Sequence, residues 1–94
     1  MDRFEWDPAK AAANVVKHEI DFLEATEVFG DPHLVVQDSF RPEFGEPRWK
    51  AVGLAGERVI AVIFTIRDGR YRLISARKAR ANERRDYRQG HPFA

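Results

Sequence analysis

The sequence predicts an α+β fold: two N-terminal helices packed on a four-stranded antiparallel sheet, with a C-terminal helix. Three observations lead there. Aspartate-capped amphipathic stretches occupy residues 7–30. Apolar runs joined by two-residue turn signals occupy residues 48–77. A basic, helix-spaced segment follows from Ala79. Composition supports a folded chain, with 44% hydrophobic residues, seven Phe and two Trp. The 94 residues are expected to form one domain, 1–94, with a modest core.

Asp7-Pro8 reads as a helix N-cap followed by proline at the first helical position, where the missing N–H costs nothing. This helix should end near His18 or Glu19, with Ala11, Ala12, Val15 and Val16 as a narrow apolar stripe. Asp21 caps a second helix. Glu24 stands in capping-box spacing, and Phe22, Ala25, Val28 and Phe29 form the buried side. Gly30 is expected in the left-handed position that ends a helix, and Asp31-Pro32 blocks continuation.

His33 to Asp38 reads as a short strand, and residues 39–47 (SFRPEFGEP) as a loop of the kind that is often functional or mobile. Three strands follow, over 48–55, 58–67 and 70–77, linked at Gly56 and at Asp68-Gly69. Ala79 to Arg88 reads as a third helix, ended by Gly90 and Pro92. Strand alternation assigns Trp49, Ala51, Ile60, Val62, Phe64, Tyr71, Leu73, Ser75 and Arg77 to the drier face, under the N-terminal helices. The other face carries Lys50, Val52, Ala61, Ile63, Ile74 and Ala76. There Arg48, Thr65, Arg67 and Arg72 gather toward one end as a cationic patch with a hydroxyl.

Charge is unevenly spread. Residues 1–66 hold seven Lys/Arg against twelve Asp/Glu, whereas residues 67–94 hold nine against three. Such asymmetry points to a polyanion or an acidic partner, or else to a solvated helix bridged to the acidic front half. Without cysteine there is no disulfide framework or thiolate metal site. No signal peptide or membrane-length apolar run is present, so a soluble cytoplasmic protein is expected, with no membrane contact.

His18, His33 and His91 lack zinc-site spacing, and there is no phosphate-binding glycine loop or serine-nucleophile elbow; no metal and no cofactor is expected. What remains is a basic surface with Trp49, Tyr71 and Tyr87 nearby, suited to phosphate contacts and base stacking. Candidate RNA contacts are Lys50, Arg70, Arg72, Lys78, Arg84 and Tyr87. The same surface suits RNA cleavage by a ribose 2′-OH, which requires fixed cations and groups that move protons. Arginine supplies the cations, and His18 or Glu46 can serve as the base. Structural readings stand beside these: His18 as a helix C-terminal cap, Trp49 as core, Arg77 as an ion pair to the acidic helices, and Tyr87 as packing for the last helix. A non-catalytic RNA- or protein-binding module with a basic face is the alternative function.

The ordered set of residues resembles the BrnT toxins of BrnT–BrnA toxin–antitoxin systems. It comprises Phe4-Glu5-Trp6-Asp7 with Lys10 and Asn14; Lys17-His18 with Phe22, Ala25 and Phe29; Asp31-Pro32; Glu46 with Arg48; and Ile74-Ser75-Ala76-Arg77, Ala79, Glu83-Arg84 and Tyr87. Glu19 is a departure, standing where the family often has glycine. The resemblance implies a RelE-like fold and a metal-independent ribonuclease that halts translation. It also implies a ribbon-helix-helix antitoxin, BrnA-like, that silences the toxin in a hetero-oligomer which represses its own operon. The substrate would be RNA, free or ribosome-associated. Carried over residue by residue, Arg48, Arg67 and Arg77 would be phosphate and transition-state ligands, and His18, Glu46 and Thr65 candidates for proton transfer or positioning.

Overall fold

The computed structural model describes residues 3–89. It is an α+β fold in the order β1 (Phe4–Trp6), α1 (Pro8–His18), α2 (Phe22–Ala25), a 3-10 helix (Thr26–Gly30), β2 (Val35–Asp38), a 3-10 helix (Pro42–Phe44), β3 (Trp49–Ala55), β4 (Arg58–Arg67), β5 (Arg70–Lys78) and α3 (Ala81–Gln89). The expected four-stranded antiparallel sheet is corrected to five strands, ordered β1-β5-β4-β3-β2 and mixed. β1 runs parallel to β5, placing Phe4 opposite Tyr71 and Trp6 opposite Leu73. Three residues are too few to show a period of two, and their partner lies at the far end of the chain, so nothing local marks them as a strand.

The helix starts follow the sequence. Asp7 accepts from Ala9 N–H at 2.8 Å and Asp21 from Leu23 N–H at 2.8 Å, each satisfying a donor that the first turn leaves open. Glu24 reaches Arg58 at 2.9 Å. The second helix is shorter than expected, becoming 3-10 after Ala25. Gly30 does not take the left-handed conformation expected of it. The tighter 3-10 turn brings the chain close against β3, where a Cβ on Gly53 would stand 3.1 Å from Val28 Cβ, so any larger residue would need Val28 to give way by a few tenths of an ångström. The predicted terminator residues Gly90 and Pro92 lie outside the described residues, as does His91.

Both hairpins close with two-residue loops, pairing Ala55 with Arg58 and Arg67 with Arg70. At the second, Asp68 and Gly69 both have positive φ, 52° and 76°, the geometry that matches the twist of the flanking strands. The register then shifts between Ile63 and Phe64, whose partners on β5 are Ser75 and Leu73, leaving Ile74 as the extra residue of a bulge. This corrects the expected faces beyond it. Ala76 turns to the main core, and Arg77 joins Lys50 on the opposite face, where both meet Glu83.

The main core lies between the sheet and the N-terminal helices, built on Ile20, Phe22, Ala25, Val28, Ile60, Val62 and Leu73. Phe4, Phe29, Phe64 and Tyr71 form a ring cluster with centroids 4.9–5.6 Å apart. Trp49 stacks on Phe64, in agreement with its reading as core. Across the sheet, α3 covers a smaller cluster of Val35, Val52, Ala61 and Ala79, with Tyr87 against it. Among the described residues no helix is long and apolar enough to cross a membrane.

Candidate active site on the basic face

The loop between β2 and β3 sets the geometry. Asp38 accepts from Phe40 N–H at 2.8 Å, and Ser39 N–H closes onto the Arg48 carbonyl at 2.8 Å. Within the loop, Gly45 reverses the chain at φ 70° after the Pro42–Phe44 turn. Thr65 is buried beneath, and its hydroxyl donates to the Pro47 carbonyl at 2.6 Å. The loop is therefore tied to the sheet on both sides of Glu46.

Glu46 sits between two guanidinium groups. Arg67 Nη2 donates to its Oε1 at 3.0 Å, and Arg48 Nη2 lies 3.6 Å from its Oε2. The Arg67 bond holds the Glu46 carboxyl below the usual carboxylate range, with Arg48 adding to the effect. Arg48 is held flat, its guanidinium 3.7 Å from the centroid of the Phe44 ring. Its Nε–H is buried without a partner among the described residues. Glu46, Arg48 and Arg67 line a groove of about 190 Å³ with Asp7, Lys10 and Arg72. Arg72 pairs with Glu5 at 3.1 Å, and Arg70 lies 3.7 Å from the same carboxylate.

A second cluster lies under the start of α3. Glu83 is 3% exposed and accepts from Arg77 twice, at 2.8 and 2.9 Å, from Lys50 at 2.7 Å and from Arg80 N–H at 2.8 Å. The last is half of a capping box, with Glu83 three residues inside the helix bonding the N-cap amide. Burial works to raise the Glu83 pKa, but its bonds to Arg77, Arg80 N–H and Lys50 outweigh that and hold it far below the usual range. The Arg77 guanidinium is correspondingly raised by its bonds to Glu83.

Of the residues singled out from sequence, the structure brings Glu46, Arg48, Arg67 and Arg72 into one groove. Lys50 and Arg77 line an adjoining recess that shares Arg48 and Ile74 with the first. His18 and Lys78 line a third hollow, which Arg77 also borders. Thr65 has no exposed hydroxyl, and Arg84 donates to the Ala79 carbonyl at 2.6 Å. Tyr87 donates to Asp31 Oδ2 at 2.5 Å. Burial raises the Tyr87 phenol, and Asp31 adds to that, to about 12. Burial also acts to raise the Asp31 carboxyl, but the bond from Tyr87 and two backbone N–H bonds bring it below its usual range. Arg41, Phe44, Ser39, Ser75 and Arg80, which also line the recess, were not among the sequence candidates. The Arg-Pro and Gly of the 39–47 loop are the one sequence signal that marks this region. Among the described residues no three His, Asp or Glu side chains are grouped to hold a metal ion.

Comparison with known proteins adds the family. No curated protein matches the chain. A family model described as the ribonuclease toxin BrnT of type II toxin–antitoxin systems matches residues 6–83, a span that takes in Glu46, Arg48, Arg67, Arg77 and Glu83. The chain belongs to this BrnT family of ribonuclease toxins.

Proposed function

We propose that this chain is an endoribonuclease that cuts RNA without a metal ion, and so inhibits translation. The observation that carries the reading is a carboxylate, Glu46, fixed between two guanidinium groups on a loop anchored to the sheet. Glu46 takes the proton of a ribose 2′-OH as that oxygen bonds to the neighbouring phosphorus. The bond from phosphorus to the 5′-oxygen breaks, and the leaving oxygen takes a proton from the Lys10 ammonium on the same groove. The products are a 2′,3′-cyclic phosphate and a 5′-hydroxyl end.

Arg48 and Arg67 stabilise the charge that builds on the non-bridging oxygens, a fixed-donor effect worth about 3 kcal/mol for each donor lost. Phe44 and Glu46 hold those guanidinium planes before substrate arrives. Thr65 acts through Pro47 as a positioning residue. Arg77 contacts phosphate from the adjoining recess with Lys50 beside it, Arg72 from the Glu46 groove and Lys78 from the third hollow, while Arg70 and Arg84 add contacts to the RNA backbone at the margins. His18 lies in the hollow beyond Arg77 and helps hold the strand. Tyr87, on α3, anchors that helix to the sheet. A ribbon-helix-helix antitoxin of the BrnA kind covers this basic face in a cytoplasmic hetero-oligomer that represses its own operon.

The test is cleavage of purified RNA in EDTA by the wild type, Glu46→Gln and Arg48→Ala, beside an antitoxin-bound sample. Wild-type fragments ending in 2′,3′-cyclic phosphate, with both variants at least about 100-fold slower, are expected. A folded wild type that cuts neither free RNA nor RNA on translating ribosomes would leave the non-catalytic binding module in its place.

A further inference from the structure

The recess beside the Glu46 groove has a chemistry of its own. It measures about 350 Å³, within the size range of small-ligand sites at roughly 300–1,000 Å³. Arg41, Lys50, Arg77 and Arg80 supply cations around it. Among the described residues no carboxylate lines it, because Glu83 is buried behind Lys50 and Arg77. Arg41 and Arg80 are exposed and have no carboxylate partner among the described residues.

Cations alone would suit any polyanion. The rest of the lining is more selective. Ile63 and Ile74 give the recess an apolar part, and Phe44 also lines it, half exposed, with the Arg48 guanidinium over its ring. Ser39 and Ser75 line the wall with no side-chain hydrogen bond among the described residues. Two isoleucine side chains, an aromatic ring under a guanidinium, two hydroxyls without side-chain bonds and two arginines without carboxylate partners together match a base, its polar edge and its phosphate.

We infer that this recess is a nucleotide subsite: it holds the unpaired nucleotide beside the scissile phosphate of a single-stranded RNA. Arg41 and Arg80 meet the phosphate, and Ser39 and Ser75 meet the polar edge of the base. The placement relative to the scissile bond rests on the ribonuclease reading above; the single-strand specificity rests on the recess. Arg48 lines both the recess and the Glu46 groove, so one chain of phosphates can run through both. A duplex cannot use this site. Its bases are paired and stacked, leaving no ring face for Phe44 and no base edge for the serines. A-form geometry also keeps each 2′-OH off the line of its own phosphodiester bond.

The experiment measures binding by fluorescence anisotropy, using labelled single-stranded oligodeoxynucleotides, which lack the 2′-OH and cannot be cut. Homopolymers of each base are compared with a hairpin duplex, for the wild type, Arg41→Ala/Arg80→Ala and Ser39→Ala/Ser75→Ala, with thermal melting as the check on folding. Single strands should bind at least tenfold more tightly than the duplex. Loss of both arginines should weaken binding at least tenfold and reduce the logarithmic salt slope by about 0.7, the share of the one phosphate they meet. Loss of both serines should change the order of base preference while leaving the salt slope intact. Duplex bound as tightly as single strand, or a double-arginine variant that binds like wild type, overturns the inference. So does a double-arginine variant that keeps its affinity for single strands but loses the purified antitoxin, which would make the recess the antitoxin's seat. If the wild type binds single strands as expected but cuts no RNA, the subsite stands and the ribonuclease reading falls.

Discussion

Arg77 and Glu83 lie six positions apart and hold each other through two parallel hydrogen bonds, Nη1 to Oε1 at 2.8 Å and Nη2 to Oε2 at 2.9 Å. The pair joins the last strand to the last helix. α3 offers little apolar surface, so this fork, with Lys50 on the same carboxylate, does much of the work of fixing it to the sheet. The arginine that resembles a catalytic residue by sequence is thereby also a structural one.

Replacing Glu83 with alanine leaves two partly buried cations facing each other. The expected cost is about 3–5 kcal/mol, read from urea unfolding at neutral pH. The pH dependence has a definite sign. The folded-state pKa of Glu83 lies below its ordinary 4.5, so its contribution is complete above that value and is lost as pH falls toward the folded pKa. The gap in stability between wild type and Glu83→Ala should therefore narrow on acidification below about pH 4.5. A gap that widens there would falsify the assignment.

Tyr87 gives the opposite window. Its phenol is raised from 10.0 to about 12, so the neutral form is favoured by folding. This contribution is whole below pH 10 and disappears as pH climbs through about 12. Tyr87→Phe keeps the ring against Val35, Val52 and Ala61 but removes the bond to Asp31. A loss of roughly 1–2 kcal/mol near pH 7 is expected, shrinking in strong alkali. Absorbance titration should show a tyrosinate step near pH 12 in the wild type that the variant lacks.

Asn14 is buried between α1 and β5. Its amide donates to the Ile20 and Ala76 carbonyls, both at 2.9 Å, and accepts from Ala76 N–H at 3.0 Å. The bulge at Ile74 is what turns this stretch of β5 toward α1. Asn14→Ala strands three buried backbone groups at once, and roughly 3 kcal/mol or more should be lost. Hydrogen exchange at the Ala76 amide should rise with it, whereas an unchanged exchange rate would show that the amide has another partner.

Local chemistry was legible in the sequence, and distant pairing was not. Asp7, Asp21 and the Asp68-Gly69 turn announce themselves, because each effect acts within a few residues. β1 was missed because its reason to exist is β5, at the other end of the chain. The single extra residue at Ile74 inverted the assignment of Ser75, Ala76 and Arg77, since a period of two has no memory across a bulge. In the site, Glu46, Arg48 and Arg67 stood out as charges, but nothing in sequence shows that Phe44 lies under Arg48 or that Arg41 and Arg80 line one recess. The loop was marked by composition; its contacts depend on the sheet beneath it.

Glu19 ends α1 in the left-handed conformation, φ 59° and ψ 34°, with its N–H bonded to the Val15 carbonyl. A side chain there meets the steric penalty that glycine escapes. Glu19→Gly should raise the unfolding free energy by about 0.5–1 kcal/mol, after allowing for the extra freedom glycine gives the unfolded chain. Denaturant midpoints decide it, and a lower midpoint would mean that the carboxylate contributes more than its backbone strain costs.

Arg48→Lys separates charge from shape. Lysine keeps the positive charge but loses the planar contact with Phe44 and the fixed direction toward Glu46. Were charge alone sufficient, RNA cleavage would be nearly unchanged. If preorganised donors matter, the turnover rate should fall by about 10–100-fold, some 1.4–2.7 kcal/mol of transition-state stabilisation. The pH profile supplies the control. Glu46 is held below its ordinary 4.5, first by Arg67 and then by Arg48, so wild-type activity should persist to lower pH than an ordinary carboxylate base allows. In Arg67→Lys the acidic limb should move upward as that guanidinium bond is lost. An acidic limb that stays in place in Arg67→Lys would remove Glu46 from the role of base and send the search for the base elsewhere on the same face.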